Sequence, residues 1–275
     1  MPTVKTNDIT INYEQEGTGK DVVFINGLTM DLNGWHLQVS DFTRRFRLLR
    51  YDCRGQGRSD KPSGAYTHGI HAHDLLGLLD ALGIEKAHLV GLSNGGMIAI
   101  RFALDHAERV DRLVLVDTTC RMTPLLRLML EAWIKVCRAG GVSLLFDVSL
   151  PVLFSDRYVA ENKEQIALMK KLSIERNDPE AVVRLAEGCM GFDASARVGE
   201  ISSPTLIVHG EEDILIPPRH GHALYDAISG SELHIVRGAA HVPIIEKPDE
   251  FNDVVIRFLE ASGGGAAAGD ESKAE

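Results

Sequence analysis

The chain has 275 residues, 44% of them hydrophobic and 25% charged, with a formal net charge of −10 at pH 7. These proportions exclude a fibrous or wholly disordered protein, and the length suits one large α/β domain or two small ones. So acidic a chain repels a polyphosphate backbone, and no nucleic-acid partner is expected.

No apolar run reads as the roughly 18–20 residues of a membrane helix, and Met1-Pro2-Thr3-Val4-Lys5 lacks the apolar stretch of a signal peptide. No membrane partner is expected, and the expected location is cytoplasmic. Cys53, Cys120, Cys137 and Cys189 are widely separated and match no zinc spacing, so they read as reduced thiols. Neither a metal nor a cofactor is expected.

Two hydrophobic periods alternate over the first 120 residues. Ile9–Tyr13 alternates apolar with polar residues, the pattern of a half-exposed strand, and Gly17-Thr18-Gly19 supplies a turn. Val22–Ile25, Phe46–Tyr51, Ala87–Leu92 and Leu113–Val116 are short continuous apolar runs, as expected for strands covered on both faces. Between them, Ala72–Leu82 carries leucines at helical spacing and ends at Gly83, and Met97–Leu104 gives a second helix. Strands alternating with helices predict a mostly parallel central sheet flanked by helices, an α/β fold.

From Arg121 to about Glu200 the strand signal disappears. Leu125–Val136, Glu161–Leu172 and Pro179–Cys189 read as helices, predicting a helical cap inserted into the sheet domain. Strands return at Thr205–Val208 and Leu233–Val236, and a helix over Pro248–Leu259 closes the pattern. The expected organisation is a core over 1–120, a cap over 121–200, the rest of the core over 201–262 and a disordered polar tail over 263–275.

The chemistry begins at Gly91-Leu92-Ser93-Asn94-Gly95-Gly96, a G-x-S-x-G pattern between an apolar strand and a helix. The pattern alone is weak, but the context sharpens it. A nucleophile on a tight strand-to-helix turn needs small neighbours, and a helix N-terminus places positive potential where an oxyanion forms. A serine hydroxyl needs a base, and the base needs an orienting carboxylate. His241 follows the late strand in Gly238-Ala239-Ala240-His241, and Asp213 follows Thr205–Val208 in Gly210-Glu211-Glu212-Asp213. All three lie beyond the carboxyl ends of predicted strands, where open α/β sheets bind ligands. His68, His71 and His73 lack further acids or cysteines to complete a metal site.

With these motifs, over about Ile9–Leu259, the sequence resembles the α/β-hydrolase superfamily. Asp52-Cys53-Arg54-Gly55-Gln56-Gly57-Arg58-Ser59 is similar to the family's D-x-R-G-x-G-x-S loop, and Asn26-Gly27-Leu28 stands where the His-Gly oxyanion turn occurs. The resemblance implies Ser93 as nucleophile, His241 as base and Asp213 as orienting acid, with backbone N–H groups of Leu28 and Asn94 as oxyanion donors. Asp117, after Leu113–Val116, is the alternative acid. Two residues depart from the pattern. Asn26 replaces a histidine, and Asn94 replaces a bulkier side chain, which enlarges or polarises the pocket floor. Asn26, Trp35, His36 and Trp133 are the expected substrate-binding residues, and Arg54 is expected to pair with Asp52.

Capped members of this layout include enol-lactonases, small carboxylesterases and carbon–carbon bond hydrolases. The expected function is hydrolysis of a small-molecule carboxylic ester or lactone through an acyl-enzyme. The alternatives are C–C bond hydrolysis, lyase or perhydrolase chemistry on the same triad, or a slow-turnover ligand receptor. Oligomeric state and physiological substrate are open.

Overall fold

The computed structural model describes residues 2–261, so the expected tail over 263–275 lies outside the described residues. Eight strands form one sheet in the order β1-β2-β4-β3-β5-β6-β7-β8. They are β1 (Thr3–Thr6), β2 (Ile9–Gly17), β3 (Asp21–Ile25), β4 (Arg47–Tyr51), β5 (Ala87–Leu92), β6 (Val110–Val116), β7 (Thr205–Gly210) and β8 (Glu232–Val236). The β1–β2 and β2–β4 pairs are antiparallel and every other neighbouring pair is parallel.

Because side chains alternate across a strand, each apolar run feeds two cores. Val23, Ile25, Leu89, Leu113 and Leu115 point to one face, where α2 (His68–Ala81) and α3 (Asn94–Asp105) contribute Leu75, Leu78, Ile98 and Phe102. Val22, Phe24, Val90, Val114 and Val116 point to the other, covered by Phe42 of α1 (His36–Thr43) and Phe251 and Val255 of a C-terminal helix, Pro248–Glu260. A left-handed Gly83 (φ 66°) stops α2, a conformation a Cβ would strain.

Between β6 and β7 the chain is helical: α4 (Pro124–Leu153), α5 (Asp156–Glu161), α6 (Lys163–Arg176) and α7 (Pro179–Cys189). Thr123, Ser155 and Asp178 cap α4, α5 and α7 through their side-chain oxygens. α4 runs well past the predicted Val136, and by length and composition it is long and apolar enough to cross a membrane, contrary to the reading of the sequence. Its backbone breaks at Gly140 and Gly141 (φ 64°), leaving arms over 124–139 and 142–153. Each arm is shorter than the ~20 residues a span requires. The chain then completes the sheet, with α8 (Arg219–Ala227) between β7 and β8, and α9 (Pro243–Glu246) before α10 (Pro248–Glu260).

Candidate active site

The parallel strands deliver their next residues to one edge. β5 is followed by Ser93 and β6 by Asp117, while β7 leads to Asp213, β8 to His241, and β3 to the turn at 26–28. Ser93 sits at φ 54°, ψ −115°, a left-handed conformation that costs a non-glycine residue about 1–3 kcal/mol. Its N–H donates to Val116 O (2.8 Å), and its carbonyl accepts from Thr118 Oγ1 (2.7 Å) and Gly96 N (2.9 Å). Two glycines make room for this turn. A Cβ on Gly91 would lie 2.4 Å from Gly95 O, and one on Gly95 would lie 2.1 Å from Ile25 O. That second approach brings the elbow against the end of β3, which leads into the turn that carries Leu28.

His241 Nδ1 lies 2.8 Å from Asp213 Oδ2. The other Asp213 oxygen accepts from Leu215 N and Ile216 N, both at 2.9 Å. Burial alone would raise the Asp213 carboxyl, but the facing His241 and the amides hold it below its ordinary value. The carboxylate is therefore kept charged behind the imidazole. The His241 backbone is tied to the helical region: its N–H donates to Leu153 O (3.1 Å), and the neighbouring Ala240 N donates to Glu246 Oε1 (3.0 Å). Glu246 also accepts from Ser155 N and Oγ, joining the histidine loop to the start of α5.

Asp117, the alternative acid, is not the partner of His241. Its Oδ1 accepts from Gly210 N (2.8 Å), and burial followed by the Asp213 charge pushes its carboxyl well above the ordinary range. Asp117, His209 and Asp213 place polar atoms within 4.8 Å of one another. His209 Nε2 donates to Ile216 O (2.6 Å) and both Asp213 oxygens are engaged, while Asp117 Oδ2 and His209 Nδ1 have no hydrogen-bond partner among the described residues.

The turn at 26–28 is held from below. Gln56 Nε2 donates to Gly27 O (2.6 Å) and Leu28 O (3.1 Å), which fixes the two carbonyls on one side of the turn. Asn94 is the first residue of α3, so its N–H has no intrahelical acceptor. Asn26 and Trp35, expected to bind substrate, are instead both fully buried and line neither of the two cavities at Ser93. Trp35 Nε1 donates to Asn26 Oδ1 (2.9 Å), and Asn26 Nδ2 donates to Tyr51 O (2.9 Å) and to Gln56 Oε1 (3.2 Å). They brace the turn, because a fully enclosed amide and indole must satisfy each other. His36 and Trp133 do line the main cavity.

The D-x-R-G-x-G-x-S loop pairs differently from expectation. Arg54 binds Asp74 (2.7 Å) and Asp8 (2.6 Å), not Asp52. Asp52 instead accepts from Leu32 N, Asn12 Nδ2 and Arg58 N, each at 2.8 Å. The reason is geometric. Gly57 (φ 45°) would place a Cβ 2.2 Å from Asp52 Oδ2, so the loop closes on the carboxylate with backbone and leaves the guanidinium facing α2.

Two cavities meet at Ser93. The larger, about 1680 Å³ including its open mouth, is lined by Leu28, Ser93, Trp133, His241 and residues of α4 and α6. The smaller, about 430 Å³ likewise including its open mouth, lies beside Asn94, Met97 and Cys189. Sequence reasoning missed the polar rim contributed by α6 and its following loop, where Arg176 pairs with Asp31 (3.2 Å) and Asn177 donates to Thr29 O (3.2 Å). The fact that these residues meet the segment just after the turn at 26–28 leaves no local trace in the sequence.

A family model described as the alpha/beta hydrolase fold matches residues 21–137. A 2-hydroxy-6-oxononadienedioate/2-hydroxy-6-oxononatrienedioate hydrolase from Klebsiella pneumoniae is 33% identical, over 91% of each chain. A sequence from Azorhizobium caulinodans assigned as the carbamate hydrolase RutD is 28% identical over 94% of this chain and 98% of its own. The crystal structure of the enol-lactonase from Burkholderia xenovorans LB400 superposes with a TM-score of 0.89 at 30% identity, covering 94% of this chain and all of that one.

Proposed function

The chain belongs to the α/β-hydrolase family and is a hydrolase, and within it we propose that it cleaves small carboxylic esters or lactones through an acyl-enzyme on Ser93. The observation that carries this reading is Ser93, held on a strained elbow and lining the same cavity as an imidazole that Asp213 anchors at 2.8 Å.

In the reaction, His241 Nε2 takes the hydroxyl proton as Ser93 Oγ attacks the carbonyl carbon. The developing oxyanion is received by the Leu28 amide of the turn and the Asn94 amide at the α3 N-terminus, each worth on the order of 3 kcal/mol. His241 then protonates the leaving oxygen and activates the water that releases the acid. The helices over 121–200 serve as the cap that covers the substrate, and a cytoplasmic site of action belongs to the same reading. A dienedioate of the kind named for the Klebsiella relative is the second substrate class to assay, since 33% identity favours it.

Purified wild type should hydrolyse p-nitrophenyl acetate and a five- or six-membered lactone, and react with a fluorophosphonate probe. Ser93→Ala should abolish all three. Unchanged hydrolysis by Ser93→Ala refutes the mechanism.

A further inference from the structure

We propose that the smaller cavity is the subsite for the acyl group, and that it selects an apolar acyl chain carrying one hydrogen-bond-accepting oxygen, received by the side-chain amide of Asn94. This rests on Ser93 as the nucleophile and adds the shape and polarity of the acid half of the substrate.

The assignment of the two cavities follows from the proton transfers. Leu28, Ser93, Trp133 and Leu215 line both, but His241 lines only the larger one. The leaving oxygen must be protonated by His241, so the leaving group occupies the larger space. The acyl group takes the other side of Ser93, where Met122, Leu126, Met129 and Leu130 form an apolar wall.

On that side Asn94 is only 4% exposed. The hydrolytic mechanism uses its backbone N–H and leaves its side chain without a task. Oδ1 lies 3.0 Å from His68 Nε2 and 3.1 Å from Cys189 Sγ. Burial lowers the His68 pKa to about 3 and raises that of Cys189 to about 12, so the imidazole stays neutral and the thiol keeps its proton. The thiol donates to Oδ1, as does the imidazole in its Nε2–H tautomer, and this orients the amide. Nδ2 makes no hydrogen bond to either. It is buried and has no hydrogen-bond partner among the described residues. A buried amide donor beside a cavity leaves its hydrogen-bonding capacity for whatever fills that space. A purely aliphatic acyl chain leaves it unmet, and a keto oxygen on the chain meets it.

The test uses p-nitrophenyl hexanoate and its 3-oxo, 4-oxo and 5-oxo counterparts. For each, kcat/KM relative to hexanoate is measured in wild type and in Asn94→Leu, and the two ratios are divided so that intrinsic ester reactivity cancels. For at least one oxo position the quotient should favour wild type by about tenfold, the scale of one hydrogen bond to a buried donor. A quotient within twofold of unity at all three positions overturns the proposal. Should Asn94→Leu not fold, wild type alone decides. Free hexanoate and the three oxo acids are compared as competitive inhibitors, and equal inhibition constants overturn the proposal, whereas a roughly tenfold tighter oxo acid supports it. If hexanoate ester is turned over equally by Ser93→Ala, the nucleophile assignment itself fails and this subsite falls with it.

Discussion

Two near-isosteric changes at adjacent carboxyls separate the orienting acid from its neighbour. In Asp213→Asn the amide oxygen can still accept from Leu215 N and Ile216 N, so two of three hydrogen bonds survive. The third does not. An Nδ2–H₂ donor would face the Nδ1–H of His241 across 2.8 Å. The imidazole escapes by moving its proton to Nε2, and that tautomer cannot accept the Ser93 proton. The expected loss in kcat is about 10⁴-fold, or ~5.4 kcal/mol of barrier at ~1.36 kcal/mol per decade. Stability should change little, since a buried charge disappears together with one charge-assisted hydrogen bond. Asp117→Asn is the contrasting case. Burial and the Asp213 charge already push the Asp117 carboxyl well above its ordinary range and so disfavour its charged form, and an amide oxygen can still accept from Gly210 N. Its kcat should stay within about threefold of wild type, since no hydrogen bond to a reacting group is lost. The assay is steady-state ester hydrolysis at pH 8, with thermal melts confirming that both variants fold. Asp213→Asn retaining more than about a tenth of wild-type kcat, or Asp117→Asn losing as much as Asp213→Asn, would refute the assignment.

The remaining predictions concern stability and the packing of the elbow. Burial lowers His68 and His71 to about 3 and His220 to about 4, all below the ordinary histidine value. Between those values and about 6.5 the unfolded chain binds protons that the folded chain does not. Stability is therefore highest above that window and should fall as pH drops through it, by up to about 1.4 kcal/mol per unit for each histidine. Urea unfolding at pH 7, 6 and 5 measures the slope, and His71→Phe should reduce it; a flat profile contradicts the burial argument. Gly95→Ala forces a Cβ to 2.1 Å from Ile25 O, displacing the elbow from the oxyanion turn. It should lower kcat at least tenfold, roughly the effect of weakening one oxyanion donor, and unchanged kinetics would show that the close approach is dispensable. Arg54→Ala strands the buried Asp74 carboxylate and should destabilise by about 3–5 kcal/mol in urea titration. A loss under about 1 kcal/mol would mean that Asp74 finds water.

The histidine loop and the helices above it form one mechanical unit. His241 N binds Leu153 O at the end of α4, and Glu246 bridges Ala240 to Ser155. Motion of the helices would therefore be felt at the imidazole, which lies at the cavity shared with Ser93.

The sequence by itself determined the sheet and the order of its chemistry. Strands covered on both faces must be continuously apolar, and for that reason Ala87–Leu92 and its neighbours were legible. The elbow was legible because its glycines answer a local steric demand. Edge and surface elements were not. β1 is polar, α1 buries only Gln38 and Phe42, and α8 buries Leu224 as its single large apolar side chain, so none shows a run of large apolar residues in the sequence. Only the tertiary structure decided the pairings: Arg54 with Asp74 rather than Asp52, Asn26 and Trp35 beneath the turn rather than in the pocket, and Asp213 rather than Asp117 at His241. Local sequence fixes which groups can hydrogen bond. Which of them meet depends on distances between segments 9 to 93 residues apart, set by how the strands align and by what the folded interior must satisfy.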